Sequence, residues 1–94
     1  MKAKAKIFYN PIEGSAPFAI HWYPGPFGDA KEAKSGNGVY WTSPNGELLA
    51  VQFDDVAEAA DNQTLVCTKD IKIELKVSKG KPTFKVIRSS KKAA

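Results

Sequence analysis

The sequence has very little histidine and cysteine, two residues that serve as base and nucleophile in many catalytic sites. Its 94 residues include one cysteine, Cys67, and one histidine, His21. A single cysteine forms no internal disulfide, which favours a reducing, cytoplasmic setting. A nucleophile pair of Cys67 and His21 would need an activating base or helix terminus, and the sequence shows neither. We therefore predict a protein that is not an enzyme.

Longer patterns that would mark a membrane, metal or phosphate site are also missing. No apolar run approaches the roughly 20 residues of a membrane span, and the basic start is not followed by the apolar segment of a secretory signal. The acids between Asp54 and Asp61 lack the spacing and the glycine of a calcium loop. Gly36–Gly38 lacks the third glycine and the following helix of a phosphate cradle. We expect no metal and no cofactor.

The clearest pattern present runs from Asp70 to Arg88 and predicts a β-hairpin. Apolar and polar residues alternate in its first half, which is the period of a strand with one buried and one solvent-facing side. Lys79-Gly80 forms the two-residue loop, where Gly80 supplies a positive φ. The register then places Glu74 opposite Lys85 on the polar side. On the apolar side it predicts the pairs Val77–Pro82, Leu75–Phe84 and Ile73–Val86.

Shorter strands separated by turn signals precede this hairpin. They are predicted at Lys4–Tyr9, Phe18–Tyr23, Val39–Thr42, Glu47–Phe53 and Thr64–Thr68. Residues 25–38 are predicted to be irregular, with one helical turn capped by Asp29, and residues 54–61 to be a short helix or a wide acidic turn. The fold class is all-β, a small antiparallel meander of six to seven strands forming a barrel or sandwich. Residues 1–88 form one domain, and the basic tail 89–94 is predicted to be disordered.

Charge is segregated along the chain. Residues 1–10 carry three lysines and no acid, residues 69–94 carry nine basic residues against two acids, and residues 11–68 carry two lysines against eight acids. Such segregation creates a field that can steer an anionic partner. The alternative is that lysines simply solvate strand faces and discourage aggregation at sheet edges. The predicted nucleic-acid site consists of Lys72, Lys76, Lys85 and Arg88, assisted by Lys2, Lys4 and Lys6.

Aromatic residues supply the second candidate feature. Alternation places Trp22 and Trp41 on core-facing sides, whereas Tyr23 and Phe27 fall at a strand end and in a loop and are candidates for exposure. Exposed rings beside lysines are typical of surfaces that stack the bases of single-stranded nucleic acid. Exposed rings also anchor protein interfaces, and in the third interpretation Phe27 only pins its loop to the core.

Together these patterns favour a small non-catalytic binding module. The leading prediction is a partner of single-stranded nucleic acid, bound through the lysine-rich hairpin. The alternative is a protein-interaction or inhibitory module that uses the aromatic and Pro-Gly segment 22–38. We expect no membrane partner, and a monomer or weak homo-oligomer.

Overall fold

The computed structural model describes residues 5–23, 28–68 and 70–88, which form eight antiparallel strands in two sheets. The fold class predicted from the sequence is confirmed, with one strand more than the six or seven expected. The strands are β1 Lys6–Tyr9, β2 Ser15–His21, β3 Lys31–Ser35, β4 Gly38–Thr42, β5 Leu48–Ala57, β6 Ala60–Thr68, β7 Ile71–Ser78 and β8 Lys81–Arg88. Over these residues the structure contains no helix that is long and apolar enough to span a membrane.

The two sheets face each other across one apolar core. The larger sheet has the strand order β1-β2-β5-β4-β3 and the smaller sheet the order β6-β7-β8. The strands most completely buried are the central ones, β5 and β7, because each is flanked by neighbours in its own sheet and covered by the other sheet. The core consists of Phe18, Ile20, Val51, Phe53, Val56, Leu65, Cys67, Ile71, Ile73, Leu75 and Val77.

The hairpin of β7 and β8 forms in the predicted register. Val77 lies opposite Pro82, Leu75 opposite Phe84, Ile73 opposite Val86, and Glu74 opposite Lys85. Both loop residues have positive φ, 52° at Lys79 and 77° at Gly80. Two successive positive φ angles give a type I′ turn, whose twist matches that of the flanking strands. The local pattern therefore determined this element completely.

The acidic stretch 54–61 is neither the short helix nor the wide turn predicted from the sequence. β5 continues through it to Ala57, a two-residue bend at Glu58-Ala59 follows, and β6 begins at Ala60. Asp61 stabilises this corner between the two sheets, because its carboxylate accepts hydrogen bonds from the backbone amide of Ala57 at 2.8 Å and the side chain of Gln63 at 3.0 Å. These hydrogen bonds lower the pKa of Asp61.

The segment 28–38 also differs from the prediction, which was an irregular stretch with a helical turn at Asp29. It contains a turn at Gly28-Asp29 and then β3, which pairs with β4 across the two-residue loop Gly36-Asn37. β3 is almost entirely polar, so no apolar alternation reveals it in the sequence. It is held instead by its partner strand and by contacts from its end to β6, where Ser35 Oγ donates to the Val66 carbonyl and Asn37 Nδ2 donates to Gln63 Oε1.

Predictions for the segments 1–4, 24–27 and 89–94 lie outside the described residues. They include the strand residue Lys4, the exposed ring of Phe27 and the disorder of the tail.

Candidate functional site

Four lysines share the outer surface of the smaller sheet. Lys72 and Lys76 come from β7, Lys81 and Lys85 come from β8, and all four side chains are exposed. In β7, Lys72 and Lys76 alternate with residues that are buried in the core, so both lysines point outward. Lys81 and Lys85 lie opposite the outward-pointing Ser78 and Glu74, so they point to the same side. We call these four residues the lysine face.

The middle of the lysine face is a shallow depression of about 530 Å³. Its lining includes polar groups able to donate or accept hydrogen bonds, contributed by Asn62, Thr64, Glu74, Lys76, Thr83 and Lys85. Glu74 is half-buried and directly opposite Lys85, so one acid partly offsets the four lysines. The surface as a whole is therefore a positively charged, hydrogen-bonding patch without an aromatic ring.

Two other basic residues of the predicted site lie elsewhere. Arg88 pairs with Ile71, whose side chain is buried, so Arg88 lies on the core-facing side of β8 and not beside Lys85. Its placement with the hairpin lysines was wrong. Lys6 lies in β1 of the other sheet, opposite His21. Lys2 and Lys4 are outside the described residues.

The outer surface of the larger sheet carries aromatic residues. One cross-strand row is Lys6, His21, Ala50, Trp41 and Glu32, and the next is Phe8, Ala19, Gln52, Val39 and Lys34. We call the rings of Phe8, His21 and Trp41 the aromatic face.

Small residues form the floor of the aromatic face. Ala50 is fully buried although it lies on an outer surface, because His21 and Trp41 flank it in the same row. The Phe8 and His21 rings are 4.9 Å apart, and Phe8 is 50% exposed. Trp41 Nε1 donates to Glu32 Oε1 at 3.2 Å, which fixes the orientation of the indole ring.

The prediction that Trp41 faces the core was wrong. Val39, Tyr40 and Trp41 are all apolar or aromatic, so alternation in β4 does not say which side is buried. The structure places Tyr40 against the core and Trp41 outside. Trp22 does face the core, where its ring lies 6.3 Å from that of Phe84. Tyr23 follows β2 and is 42% exposed, as the sequence predicted.

The lysine face and the aromatic face therefore occupy opposite outer surfaces of the sandwich, and the aromatic face carries two lysines of its own, Lys6 and Lys34. A platform for single-stranded nucleic acid that combines these rings with the four hairpin lysines on one surface is not what the described residues form. The lysine face can contact phosphates, and the aromatic face can stack with planar groups, but one short ligand cannot engage both.

Cys67 and His21 are separated by the larger sheet. Cys67 is 2% exposed and lies in the core between the sheets, whereas His21 is on the aromatic face, on the other side of β2. Burial raises the pKa of the Cys67 thiol to about 11. The two side chains therefore form no nucleophile pair, and the thiol carries almost no thiolate near neutral pH.

The acidic corner at the end of β5 and the start of β6 comprises Asp55, Glu58 and Asp61. Tyr9 Oη donates to the Val56 carbonyl at 2.9 Å beside this corner. Burial of the Tyr9 hydroxyl raises its pKa, and the negative charges of Glu58, Asp61 and Asp55 raise it further. Among the described residues, no three His, Cys, Asp or Glu side chains are arranged so that they could hold a metal ion.

Comparison with known proteins adds nothing to this geometry, because no protein family, curated protein or solved structure matches the chain.

Proposed function

We propose that this chain is a non-catalytic binding module that holds nucleic acid by its phosphates on the lysine face. The observation that carries the proposal is the grouping of four exposed lysines on one outer surface, with a single half-buried acid among them. The same proposal assigns the protein to the cytoplasm, supported by its one free, buried thiol.

The spacing of the lysines suits a polyanion better than a single small anion. Lys72 and Lys76 are four residues apart on one strand, a separation of about 13 Å. Lys85 lies on the neighbouring strand β8, at a strand spacing of about 5 Å, and is opposite Glu74, midway between Lys72 and Lys76. Since the Debye length at physiological ionic strength is about 8 Å, these charges act together on adjacent phosphates.

The composition of the lysine face also sets the kind of recognition. Phosphate contacts position a nucleic acid without reading its sequence, whereas bases are read by hydrogen bonds or stacking. The face offers threonine, asparagine and lysine groups, whereas the ring of Phe84, which also borders the depression, packs against the core. We therefore expect binding that depends strongly on salt and weakly on base sequence.

The test is a titration of a fluorescent single-stranded oligonucleotide at several salt concentrations. Four phosphate contacts predict that the logarithm of the binding constant falls against the logarithm of salt concentration with a slope of about −3, from about −0.7 per contact. The double variant Lys76→Glu/Lys85→Glu should remove most of the binding. Both side chains are exposed, so its fold should remain intact by circular dichroism.

The matched control is Lys34→Glu, an equal change of charge per site at an exposed position on the aromatic face. It should leave most of the affinity in place. An equal loss in the control and the double variant would show that only net charge matters. Absence of micromolar binding near physiological salt would refute the proposal.

The same titration with the variant Tyr23→Ala tests whether an aromatic ring contributes to binding. If the exposed Tyr23 ring stacks on a base, Tyr23→Ala weakens single-strand binding by roughly 1–3 kcal/mol and leaves duplex binding unchanged. An unchanged affinity assigns the whole interaction to the lysine face.

A protein-interaction module is the second candidate function. The observation that favours it is the aromatic face, where Phe8 is half exposed beside His21 and Trp41 lies further across the same surface. Aromatic residues are enriched at the centres of protein interfaces. A negative nucleic-acid titration would make this the leading candidate, with Phe8→Ala as the variant that weakens partner binding.

A further inference from the structure

The outer edge of β8 has no partner strand among the described residues, where β8 pairs only with β7. In a hairpin with a two-residue loop, the pair that closes the loop exchanges both backbone hydrogen bonds, and bonded and non-bonded pairs then alternate. Ser78 and Lys81 close this loop. It follows that Lys81, Thr83, Lys85 and Ile87 bond to β7, while the amides of Phe84, Val86 and Arg88 point to the open edge.

The space beside this edge is bounded by the inner surface of the larger sheet. β6 is tied to the β3–β4 hairpin by Ser35 and Asn37, so β8 lies on the opposite side of the sandwich, where Phe84 meets Trp22 of the β2 end. Five strands therefore face only three.

Inward-facing apolar residues beside this edge are incompletely covered. Ile7 lies opposite the fully buried Ile20 and so faces inward, yet it is 40% exposed. Phe84 and Val86 pack against the core but are only half-buried. A ninth strand added at β8 would cover all three side chains and satisfy the open amides of β8.

We propose that the β8 edge binds an extended peptide, antiparallel to β8, in which acidic and apolar residues alternate. This goes beyond nucleic-acid binding and uses the strand edge and the inner side of the sheet. In an antiparallel pair, directly opposite residues share a face. The apolar peptide residues then lie opposite Phe84 and Val86, and the acidic residues lie opposite the outward-facing Lys81 and Lys85.

Charge complementarity selects this occupant over a second copy of the chain. β8 contains Lys81, Lys85 and Arg88 and no acid. Antiparallel pairing of two β8 strands brings both sets of cations together at a strand spacing of about 4.8 Å, where like charges destabilise a sheet. An acidic strand converts the same cations into favourable partners. Pro82 lacks an amide proton, so the added strand accepts backbone hydrogen bonds only from Phe84, Val86 and Arg88.

The experiment uses two short peptides of alternating valine and glutamate that differ only in the position of N-methyl groups. In the proposed pairing the valine amides face β8 and the glutamate amides face solvent. Methylating the glutamate amides therefore leaves the binding edge intact and limits pairing of the peptides with one another to dimers. Methylating the valine amides removes the donors to β8 and should weaken binding by at least about tenfold.

Amide hydrogen exchange by NMR provides the residue-level readout. Exchange at Phe84, Val86 and Arg88 should be fast in the free protein and should slow when the glutamate-methylated peptide binds. Exchange at Lys85 and Ile87 should change little, because those amides already bond to β7. The measurement is repeated with Lys76→Glu, which weakens the lysine face but leaves the edge of β8 in place, so that failure of this proposal and failure of nucleic-acid binding are distinguished.

Three results would overturn the inference. The two peptides could bind equally well, or the bound peptide could leave the exchange of Phe84 and Val86 unchanged. Slow exchange of Phe84 and Val86 in the free protein, together with a dimeric mass in solution, would show that a second copy already occupies the edge.

Discussion

Replacing Leu75 with alanine tests how far the core depends on the β7–β8 hairpin. Leu75 is in the middle of β7, the central strand of the smaller sheet, and is 2% exposed. Its side chain contributes to a core formed by only two sheets. Removing it leaves a cavity between strands that are fixed by backbone hydrogen bonds on both sides of β7, so the site collapses poorly.

The expected loss follows from the burial of the side chain. Leucine-to-alanine changes at fully buried positions cost about 2–5 kcal/mol, because lost burial and cavity formation add. With little collapse we expect a loss of about 3–4 kcal/mol, a large part of the roughly 5–14 kcal/mol that a domain of this size has in total. At about 4–8 °C per kcal/mol, the melting temperature falls by at least about 12 °C.

Phe84→Ala and Lys76→Ala complete the experiment. Phe84 lies opposite Leu75 but is only half-buried, so its removal should cost about 2 kcal/mol despite its larger size. Lys76 is exposed next to Leu75, and its removal should stay within about 0.5 kcal/mol. Urea denaturation followed by circular dichroism measures all three. A cost for Phe84→Ala equal to that for Leu75→Ala would refute the burial reasoning and indicate that another strand covers Phe84 in solution.

Two further predictions concern single positions in the core. Cys67 should react with a thiol reagent slowly in the folded protein and quickly after unfolding, and rapid labelling of the native protein at neutral pH would contradict its burial. Because its pKa is raised from 9.0 to about 11, only the unfolded thiol ionises between these pH values, so the folded protein should lose stability there. The Cys67→Ala variant should not show this loss. Gly38→Ala should destabilise the protein by roughly 1–3 kcal/mol in the same urea experiment, because a Cβ at this buried position would overlap the Gln52 carbonyl of the neighbouring strand. Gly46→Ala adds a Cβ where no atom lies nearby, so its cost of about 1–2 kcal/mol comes from the positive φ alone and not from overlap.

The sequence predicts best where local patterns agree with one another. In the final hairpin the apolar alternation, Lys79-Gly80 and Pro82 all specify one register, and the structure has that register. Ser43-Pro44-Asn45-Gly46 is likewise a sequence typical of a hairpin turn, and in the structure the Gly46 amide donates to the Ser43 carbonyl at 2.8 Å and Gly46 has a positive φ. The run Leu48–Val51 is apolar on both sides of a strand, a pattern typical of central strands, and β5 is the central strand of its sheet.

Prediction failed where a strand is stabilised by its partners alone. β3 has no apolar alternation, and the second half of β5 contains consecutive acids, so both segments appeared irregular or helical in sequence. The dipeptide Gly36-Asn37 is typical of a two-residue hairpin loop. It is the one signal in the sequence that indicates β3, because it implies strands on both of its sides.

The sequence by itself determined the fold class, the hairpin register and the chemical character of the candidate residues, because these depend on turn residues and on a period of two within single strands. It also implied the side of the sheet on which Arg88 lies, because Arg88 alternates along β8 with the same spacing as the inward-facing Phe84 and Val86. Only the tertiary structure decided that Trp41 faces outward, that the described residues leave Ile7 incompletely covered and the β8 edge unpaired, and that the lysine face and the aromatic face lie on opposite surfaces. Those features depend on how two sheets of unequal width pack together, and no local pattern records the choice of face or the number of strands opposite it.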